Sequence, residues 1–232
     1  NHYVAFLKEN GSHESEYRMI AADGRVMWLR DVVSIIAEEG QPSKLRGVMM
    51  DITQKKLAEQ EIITKSSELE SLSIISSHLR TASTADDMLP MVLENMSQIF
   101  KADSSAVILL DPDHSHFTFV AGDGLLSKNV GIQFDVENSI SACVMKTRQP
   151  YVTLDYANDP MRSRAIMDSE QVGSVAVVPL QSETEFLGAL LCGRRQEAPA
   201  GPFTQTEVQL LVTIGEMVGN ALRRARLFDQ AL

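Results

Sequence analysis

The sequence predicts an α+β fold, in which antiparallel sheets carry helices on one face. The first observation is a set of short, β-branched-rich segments bounded by Gly, Pro or Asp, which is typical of strands. The second is a pair of long segments without proline and with helical periodicity, residues 53–80 and 204–232. The third is their order after residue 80: a helix, two strands, a helical excursion, further strands and a closing helix. This order favours an antiparallel sheet.

The composition is that of a soluble globular protein and excludes several function classes. Of the 232 residues, 44% are hydrophobic and 22% are charged. The net charge of -10 argues against a nucleic-acid partner, because Lys and Arg are not in excess. The longest apolar runs, such as Ser174–Leu180, are far shorter than the roughly 18 residues of a membrane span. We therefore expect a cytoplasmic chain with no membrane contact.

The cysteines and the first residues bear on the compartment and on completeness. Cys143 and Cys192 are too few for a disulfide framework, and both sit among apolar residues. We expect buried, reduced thiols. The chain opens on Asn1 without an initiator Met, and we expect it to be a fragment of a longer protein.

Residues 1–53 have the pattern of a short helix, residues 1–12, followed by antiparallel strands. Asp23-Gly24 predicts a tight hairpin turn. Asp51 is a candidate helix cap, with Gln54 three residues on to complete a capping box. Alternating or β-branched segments predict strands over Tyr17–Ala21, Val26–Ile36 and Leu45–Met50.

Motifs in this stretch carry a family resemblance. They are Glu16-Tyr17-Arg18, then Asp23–Leu29, then Gly47–Thr53. Together they resemble the C-terminal half of a PAS sensor domain, which implies that residues 1–53 are the end of such a domain. In that family the Asp51-Ile52-Thr53 triplet marks the point where the sheet passes a signal into a coiled coil.

Residues 54–80 predict a helical connector that merges into the first helix of the next domain. Apolar residues fall on heptad positions a and d, although Lys65 and Ser76 interrupt the pattern. This indicates a weak coiled coil, and the alternative is a solvated helix that packs on its own domain. The heptad residues are Ala58, Ile62, Leu69, Leu72 and Leu79.

The remaining sequence changes repeatedly between helical and strand periods. Thr204 and Glu207 form a capping box that opens the last helix. Predicted helices cover Thr84–Phe100, Ser139–Thr147 and the segment from Thr204 to the end, and predicted strands cover Ala106–Leu110, Phe117–Ala121, Tyr151–Leu154, Ser174–Leu180 and Phe186–Gly193.

A series of short motifs runs through residues 67–232. They are Lys101–Ala106, Gly122–Leu125, Asp155 with Asp159–Arg162, Gly173–Leu180, Leu187–Leu190 and Asn220–Leu227. In this order they resemble a GAF domain, which implies a cytosolic module that senses a small molecule or a protein partner. The resulting domain assignment is a PAS end at 1–53, a connector at 54–80 and a GAF domain at 67–232.

Motifs for catalysis and for cofactors are weak throughout. The segment around His78 differs from a kinase phosphoacceptor box, because the acid that should follow the histidine is missing. His114 and His116 could share a strand face, but no third metal ligand is evident. Val144 follows Cys143 where bilin-binding relatives commonly carry His. We expect neither a covalent bilin nor a metal, and the cofactor stays unknown.

The GAF resemblance places a candidate ligand pocket between the sheet and the helical excursion, at about residues 139–169. Arg162 and Arg164 could meet an anionic ligand at its rim. The alternative is that these residues form ordinary core and solvated rim. The candidate pocket residues are Ile140, Val144, Tyr156, Arg162, Ile166, Met167, Val175 and Val177.

The last helix is apolar on two sides and therefore needs two partners. Val208, Val212 and Leu222, with Gly215 and Gly219, can pack onto the sheet. The other side predicts a homodimer, and the alternative is a helix buried within a monomer. The predicted dimer seam is an uninterrupted heptad series of Leu211, Ile214, Val218, Ala221, Ala225, Phe228 and Leu232.

These observations indicate a sensory and regulatory module rather than an enzyme. The resemblances imply signalling through dimeric helices to a downstream output domain, with a histidine kinase as first choice and a diguanylate cyclase or transcription activator after it. One alternative is a GAF-type redox enzyme of the methionine sulfoxide reductase kind, which would need its cysteines to meet. Another is a ligand-free dimerisation module.

Overall fold

The computed structural model describes residues 12–38, 41–81, 84–137, 139–163, 165–166, 171–182 and 185–229. The helix expected at residues 1–12 lies almost entirely outside these ranges. The chain divides into two compact units, residues 1–67 and 68–232. Among the described helices, none combines the length and the apolar character needed to cross a membrane.

The described part of the first unit is an antiparallel sheet in the order β1-β2-β3. Its strands are β1 (Ser12–Ile20), β2 (Val26–Glu38) and β3 (Gln41–Asp51). Gly24 has a φ of 85°, and its amide donates to the carbonyl of Ala21 at 2.9 Å. This left-handed glycine closes the hairpin and confirms the turn predicted at Asp23-Gly24.

Helix α1 (Thr53–Thr81) follows β3 almost directly. The carboxylate of Asp51 accepts the amide of Thr53 at 2.8 Å, which closes the turn into the helix. Ile75 and Leu79 on α1 are buried in the core of the second unit, whereas Ile62 and Leu69 are exposed. The long predicted helix is confirmed, and its heptad residues divide between core and surface.

The second unit contains a sheet whose described strands lie in the order β6-β5-β4-β9-β8-β7, with every neighbouring pair antiparallel. The strands are β4 (Ser104–Leu110), β5 (His116–Gly124), β6 (Gln133–Asp135), β7 (Tyr151–Thr153), β8 (Val172–Gln181) and β9 (Phe186–Arg195). The helices are the end of α1, then α2 (Ala85–Phe100), α3 (Ile140–Thr147) and α4 (Gln205–Asp229).

Apolar packing covers both faces of this sheet. The end of α1, with α2 and α4, packs on one face, as the α+β prediction requires. The short helix α3 and a 3-10 turn (Tyr156–Asn158) cover the other. Because side chains alternate along a strand, Ala176 and Val178 belong to the helical face and Val175 and Val177 to the α3 face.

Helix α4 lies so close to β8 that its glycines touch strand backbone. A Cβ built on Gly215 would lie 2.9 Å from the carbonyl oxygen of Pro179, and one on Gly219 would lie 2.5 Å from that of Gln181. Both distances are below ordinary van der Waals contact, so a side chain at either position would force the helix away from the sheet.

The buried face of α4 corrects the predicted dimer seam. Leu211, Ile214, Val218 and Ala221 are at most 4% exposed within the single chain. They pack in the core of their own domain, because the same repeat that would face a second chain faces the sheet and α2. These residues are therefore not available to a partner. Of the other predicted seam residues, Ala225 is half-buried, and the Phe228 side chain and Leu232 lie outside the described structure.

Candidate functional site

A small cavity lies on the α3 face of the second sheet. Its volume is about 10 Å³, which leaves room for roughly one water molecule. The wall combines four strands with the start of α3, the 3-10 turn (Tyr156–Asn158) and the loop that follows this turn. The described lining residues are Ile108, Phe134, Ser139, Ile140, Ser141, Tyr156, Ser163, Ile166, Val177 and Leu191.

The predicted pocket residues lie mainly on this face. Ile140, Tyr156, Ile166 and Val177 line the cavity. Val144 and Val175 belong to the same apolar cluster without lining it. Arg162 lies outside the cavity, and Met167 and Arg164 are outside the described residues. A role for any of them in ligand binding stays a prediction.

Serine side chains give the cavity a polar component that sequence reasoning missed. Ser139 caps α3, since its hydroxyl oxygen accepts the amide of Ala142 at 3.1 Å. Ser141 lies in the first turn of that helix, and Ser163 also lines the cavity. Both Ser139 and Ser141 are buried. The sequence did contain a signal for this polar component. A helix cap needs only one serine, so a second serine at the start of a helix that covers a sheet indicates a further role.

Among the described residues of the cavity wall, Tyr156 is the one that titrates. It begins a 3-10 turn capped by Asp155, whose carboxylate accepts the side-chain amide of Asn158 at 2.8 Å. This turn directs the ring onto the sheet, where Tyr156 is 4% exposed. Burial raises the pKa of the Tyr156 hydroxyl, and the nearby Arg162 only partly opposes that effect. The hydroxyl therefore keeps its proton at physiological pH.

An open surface groove of about 600 Å³ borders the cavity and contains Arg162. Arg162 Nη1 donates to the carbonyl of Ala157 at 2.8 Å, which holds the guanidinium on its own loop. The groove is polar and exposed, unlike the cavity, and shares Phe134 and Ser163 with it. Its lining residues are His116, Gln133, Phe134, Asp135, Glu137, Pro160, Arg162, Ser163 and Ala165.

The histidines and cysteines are not assembled into a reactive centre within the described structure. His116 Nε2 lies 3.3 Å from an oxygen of Asp135, and its Nδ1 lies 2.7 Å from the Ser115 hydroxyl. In the described ranges, no three His, Cys, Asp or Glu residues come close enough to hold a metal. Cys192 belongs to the core on the helical face, while Cys143 sits half-buried on α3 across the sheet.

His78 lies in the helical layer of the second unit. It is part of α1, and its Nδ1 lies 3.0 Å from the side-chain nitrogen of Asn95 on α2. This contact joins neighbouring helices.

The exit motif of the first unit is built on Trp28. The Trp28 amide donates to the Thr53 hydroxyl at 2.9 Å, and its carbonyl accepts the amide of Ile52 at 2.8 Å. Lys56 Nζ lies 5.4 Å from the indole centroid and 2.5 Å from a Glu16 oxygen. These contacts fasten the first turn of α1 to β1 and β2.

The sheet, its helical layer and the small cavity define an α+β domain. A model of the GAF domain family matches residues 82–223, and the chain belongs to this family. A model of the PAS fold matches residues 1–49. Both resemblances seen in the sequence are thereby confirmed.

Among curated proteins, the chain is 24% identical to the methyl sulfide methyltransferase-associated sensor of Methanosarcina acetivorans over 222 residues, which is 92% of the chain. The chain spans only 21% of that sensor's length. The match therefore says nothing about the function of the remaining parts of that sensor.

Solved structures show the same fold. The GAF domain of a phosphoenolpyruvate-protein phosphotransferase from Coxiella burnetii superposes with a TM-score of 0.63 at 20% identity, covering 72% of this chain and 98% of that one. A free methionine-R-sulfoxide reductase from Neisseria meningitidis, in complex with its substrate, gives 0.58 at 16%, covering 71% and 92%. Identities this low establish the fold alone.

Proposed function

We propose that the chain is the sensory and regulatory part of a cytoplasmic signal-transduction protein, in which a change at the cavity is passed through the sheet to α4. The GAF and PAS matches and a relative named as a sensor support this class of function. The proposal assigns no catalytic residue to this chain and leaves catalysis to an output domain of the full-length protein.

The observation that carries this proposal is that successive side chains of β8 point to opposite faces of the sheet. Val177 lines the cavity on one face, while Val178 is fully buried on the other. A Cβ built on Gly215 would lie 3.0 Å from Cγ2 of Val178, so the backbone of α4 rests on that side chain. Because a single peptide bond joins the two valines, a displacement of the cavity wall also moves the surface that supports α4.

A homodimer fits this mechanism, because helices from two chains can shift between two packing states. The available surface is on α1 rather than on the buried face of α4. Ile62 and Leu69 are seven positions apart on that helix and are 68% and 67% exposed. A histidine kinase is the first choice for the output domain by family analogy, ahead of a diguanylate cyclase or a transcription activator.

Alternative functions are each tied to an observation. A redox enzyme of the methionine sulfoxide reductase kind shares the fold. However, Cys143 and Cys192 lie on opposite faces of the sheet, and burial raises the pKa of the Cys192 thiol, which opposes thiolate chemistry. A ligand-free dimerisation module is favoured only by the small cavity volume of about 10 Å³.

The test is a change to the cavity wall, read at α4. Val177→Leu adds one methylene group on the cavity side, and Val152→Leu, on the exposed side of β7, is the matched control. We expect Val177→Leu to alter amide hydrogen exchange around Gly215 and Val218 on α4, while the control leaves it unchanged. Altered exchange confined to α3 and the cavity strands would contradict transmission through the sheet.

A further inference from the structure

The cavity has the chemical character of a site for an uncharged molecule. Most of the described lining side chains are aliphatic or aromatic, and the polar ones carry hydroxyls: Ser139, Ser141, Ser163 and Tyr156. Among the described lining residues, none carries a charge at neutral pH. An ion placed here would lose its hydration without a compensating partner, which is strongly unfavourable.

Tyr156 presents a donor that nothing in the described structure accepts. The residue is only 4% exposed, and it lines the cavity. No hydrogen bond to its hydroxyl occurs among the described residues, whereas the nearby Tyr151 hydroxyl donates to Asp159 at 3.1 Å. The Tyr156 hydroxyl can therefore donate to an acceptor that enters the cavity.

The neighbouring cation, Arg162, is not part of the cavity lining. Arg162 lines the outer groove, and its Nη1 is committed to the carbonyl of Ala157 at 2.8 Å. An anion attracted to Arg162 would therefore stay in the groove, where water can solvate it. The two compartments are chemically distinct although they share Phe134 and Ser163.

We propose that the cavity takes a small, neutral, largely apolar molecule with one hydrogen-bond acceptor, such as a carbonyl, ether or sulfoxide oxygen, and that Tyr156 donates to that acceptor. This inference rests on the proposed sensing function and names its ligand class. The volume of about 10 Å³ admits only one water, so a larger molecule binds only if part of the wall moves. Ile166, a lining residue that belongs to no helix or strand, is the position chosen to test this.

The experiment uses two probes of matched size, one neutral and one negatively charged. 2-Butanone is neutral and carries a carbonyl acceptor, while propionate has the same number of heavy atoms and a negative charge. Each is titrated into the isotopically labelled full chain, and amide chemical shifts are followed at Ala142, Val177 and Leu191. We expect saturable shifts at these positions with 2-butanone and none with propionate.

Substitutions assign the binding to the Tyr156 hydroxyl. Tyr156→Phe removes only the unpartnered hydroxyl, so we expect an unchanged fold and 2-butanone binding weakened by roughly two- to tenfold. Tyr151→Phe is the matched control, because its hydroxyl is bonded to Asp159 and lies outside the cavity lining. It should bind 2-butanone like the unmodified chain. Ile166→Ala opens the wall and should strengthen binding.

The outcomes separate this inference from the proposed function. Propionate binding as tightly as 2-butanone at the same amides, or Tyr156→Phe binding 2-butanone unchanged, overturns the ligand class while leaving a responsive cavity. The absence of saturable 2-butanone shifts in both the unmodified chain and Ile166→Ala also overturns it. Transmission to α4 is decided independently by the response to Val177→Leu.

Discussion

Arg194 and Glu207 form an ion pair that joins the end of one helix to the start of another. Nη2 of Arg194 donates to Oε1 of Glu207 at 2.5 Å, and Nε donates to the carbonyl of Phe100, the last residue of α2, at 3.1 Å. Nη1 donates to the carbonyls of Gly201 and Pro202 at 3.0 and 3.2 Å. Arg194 is 1% exposed, so its buried charge depends on these contacts.

Glu207→Ala should destabilise the second unit by about 3 kcal/mol, because it leaves the buried Arg194 without its counter-charge. It also removes the carboxylate that accepts the amide and the hydroxyl of Thr204 at the start of α4. Chemical denaturation measures the loss. Glu216→Ala, at an exposed position of the same helix, is the control and should stay within about 0.5 kcal/mol. Equal losses in the two variants would rule out a special role for the ion pair.

The contribution of the Arg194–Glu207 ion pair to stability should depend on pH. Burial acts to raise the pKa of Glu207, but the hydrogen bonds from Arg194 and Thr204 outweigh it and hold the pKa below its usual value. A lowered folded-state pKa gives stability that is present above the unfolded value, about 4.3, and is lost as pH falls through the folded value. The stability gap between the native chain and Glu207→Gln should therefore be constant from about pH 7 to about pH 5 and shrink as pH falls further, through the folded-state pKa. A gap that stayed constant in urea titrations would contradict this coupling.

Gly219→Ala should destabilise the second unit even though alanine favours helices by about 1 kcal/mol. Its Cβ would lie 2.5 Å from a backbone oxygen of Gln181, which cannot rotate away, and we expect a net loss of about 1–3 kcal/mol. Gly215→Ala meets Pro179 at 2.9 Å and should lose less. Asn220→Ala, at an exposed position, should gain stability. Thermal unfolding of the three variants gives the order directly.

Dimerisation should depend on α1 and not on the buried face of α4. We expect a dimer by light scattering at tens of micromolar, on the order of typical interface affinities. Ile62→Glu with Leu69→Glu should give a folded monomer, because both side chains are exposed in the single chain. Gln60→Glu, an added carboxylate at another exposed position of the helix, is the control and should remain dimeric. A monomer mass for the unmodified chain would refute the homodimer.

Local patterns were sufficient to predict most of the fold. The capping box of α4 is an example, since Thr204 and Glu207 exchange the predicted hydrogen bonds at 2.8–3.3 Å. Strand and turn predictions depended in the same way on residues within a few positions of one another. Arg194 could not be predicted, because two adjacent arginines at a strand end look solvated, and its partner Phe100 is 94 positions away in sequence.

Helical periodicity also has a limit that α4 makes clear. The spacing of Leu211, Ile214 and Val218 is the same whether a helix packs on a second chain or on its own sheet. In the structure all three are fully buried in their own domain. Val218→Glu is therefore expected to unfold the domain rather than to dissociate a dimer. Four of the predicted pocket residues line the cavity: Ile140, Tyr156, Ile166 and Val177. The lining serines were not predicted, since serines are common at the start of any helix.

The placement of the cysteines gives the chain a built-in attachment point for a spectroscopic reporter. Cys192 is fully buried and its thiol pKa is raised, so it resists alkylation. Cys143 is half-buried on α3, the helix that closes the cavity. A maleimide dye or a nitroxide spin label should therefore attach at Cys143 without any engineered substitution. Its emission or line shape would follow the opening of the cavity wall in real time.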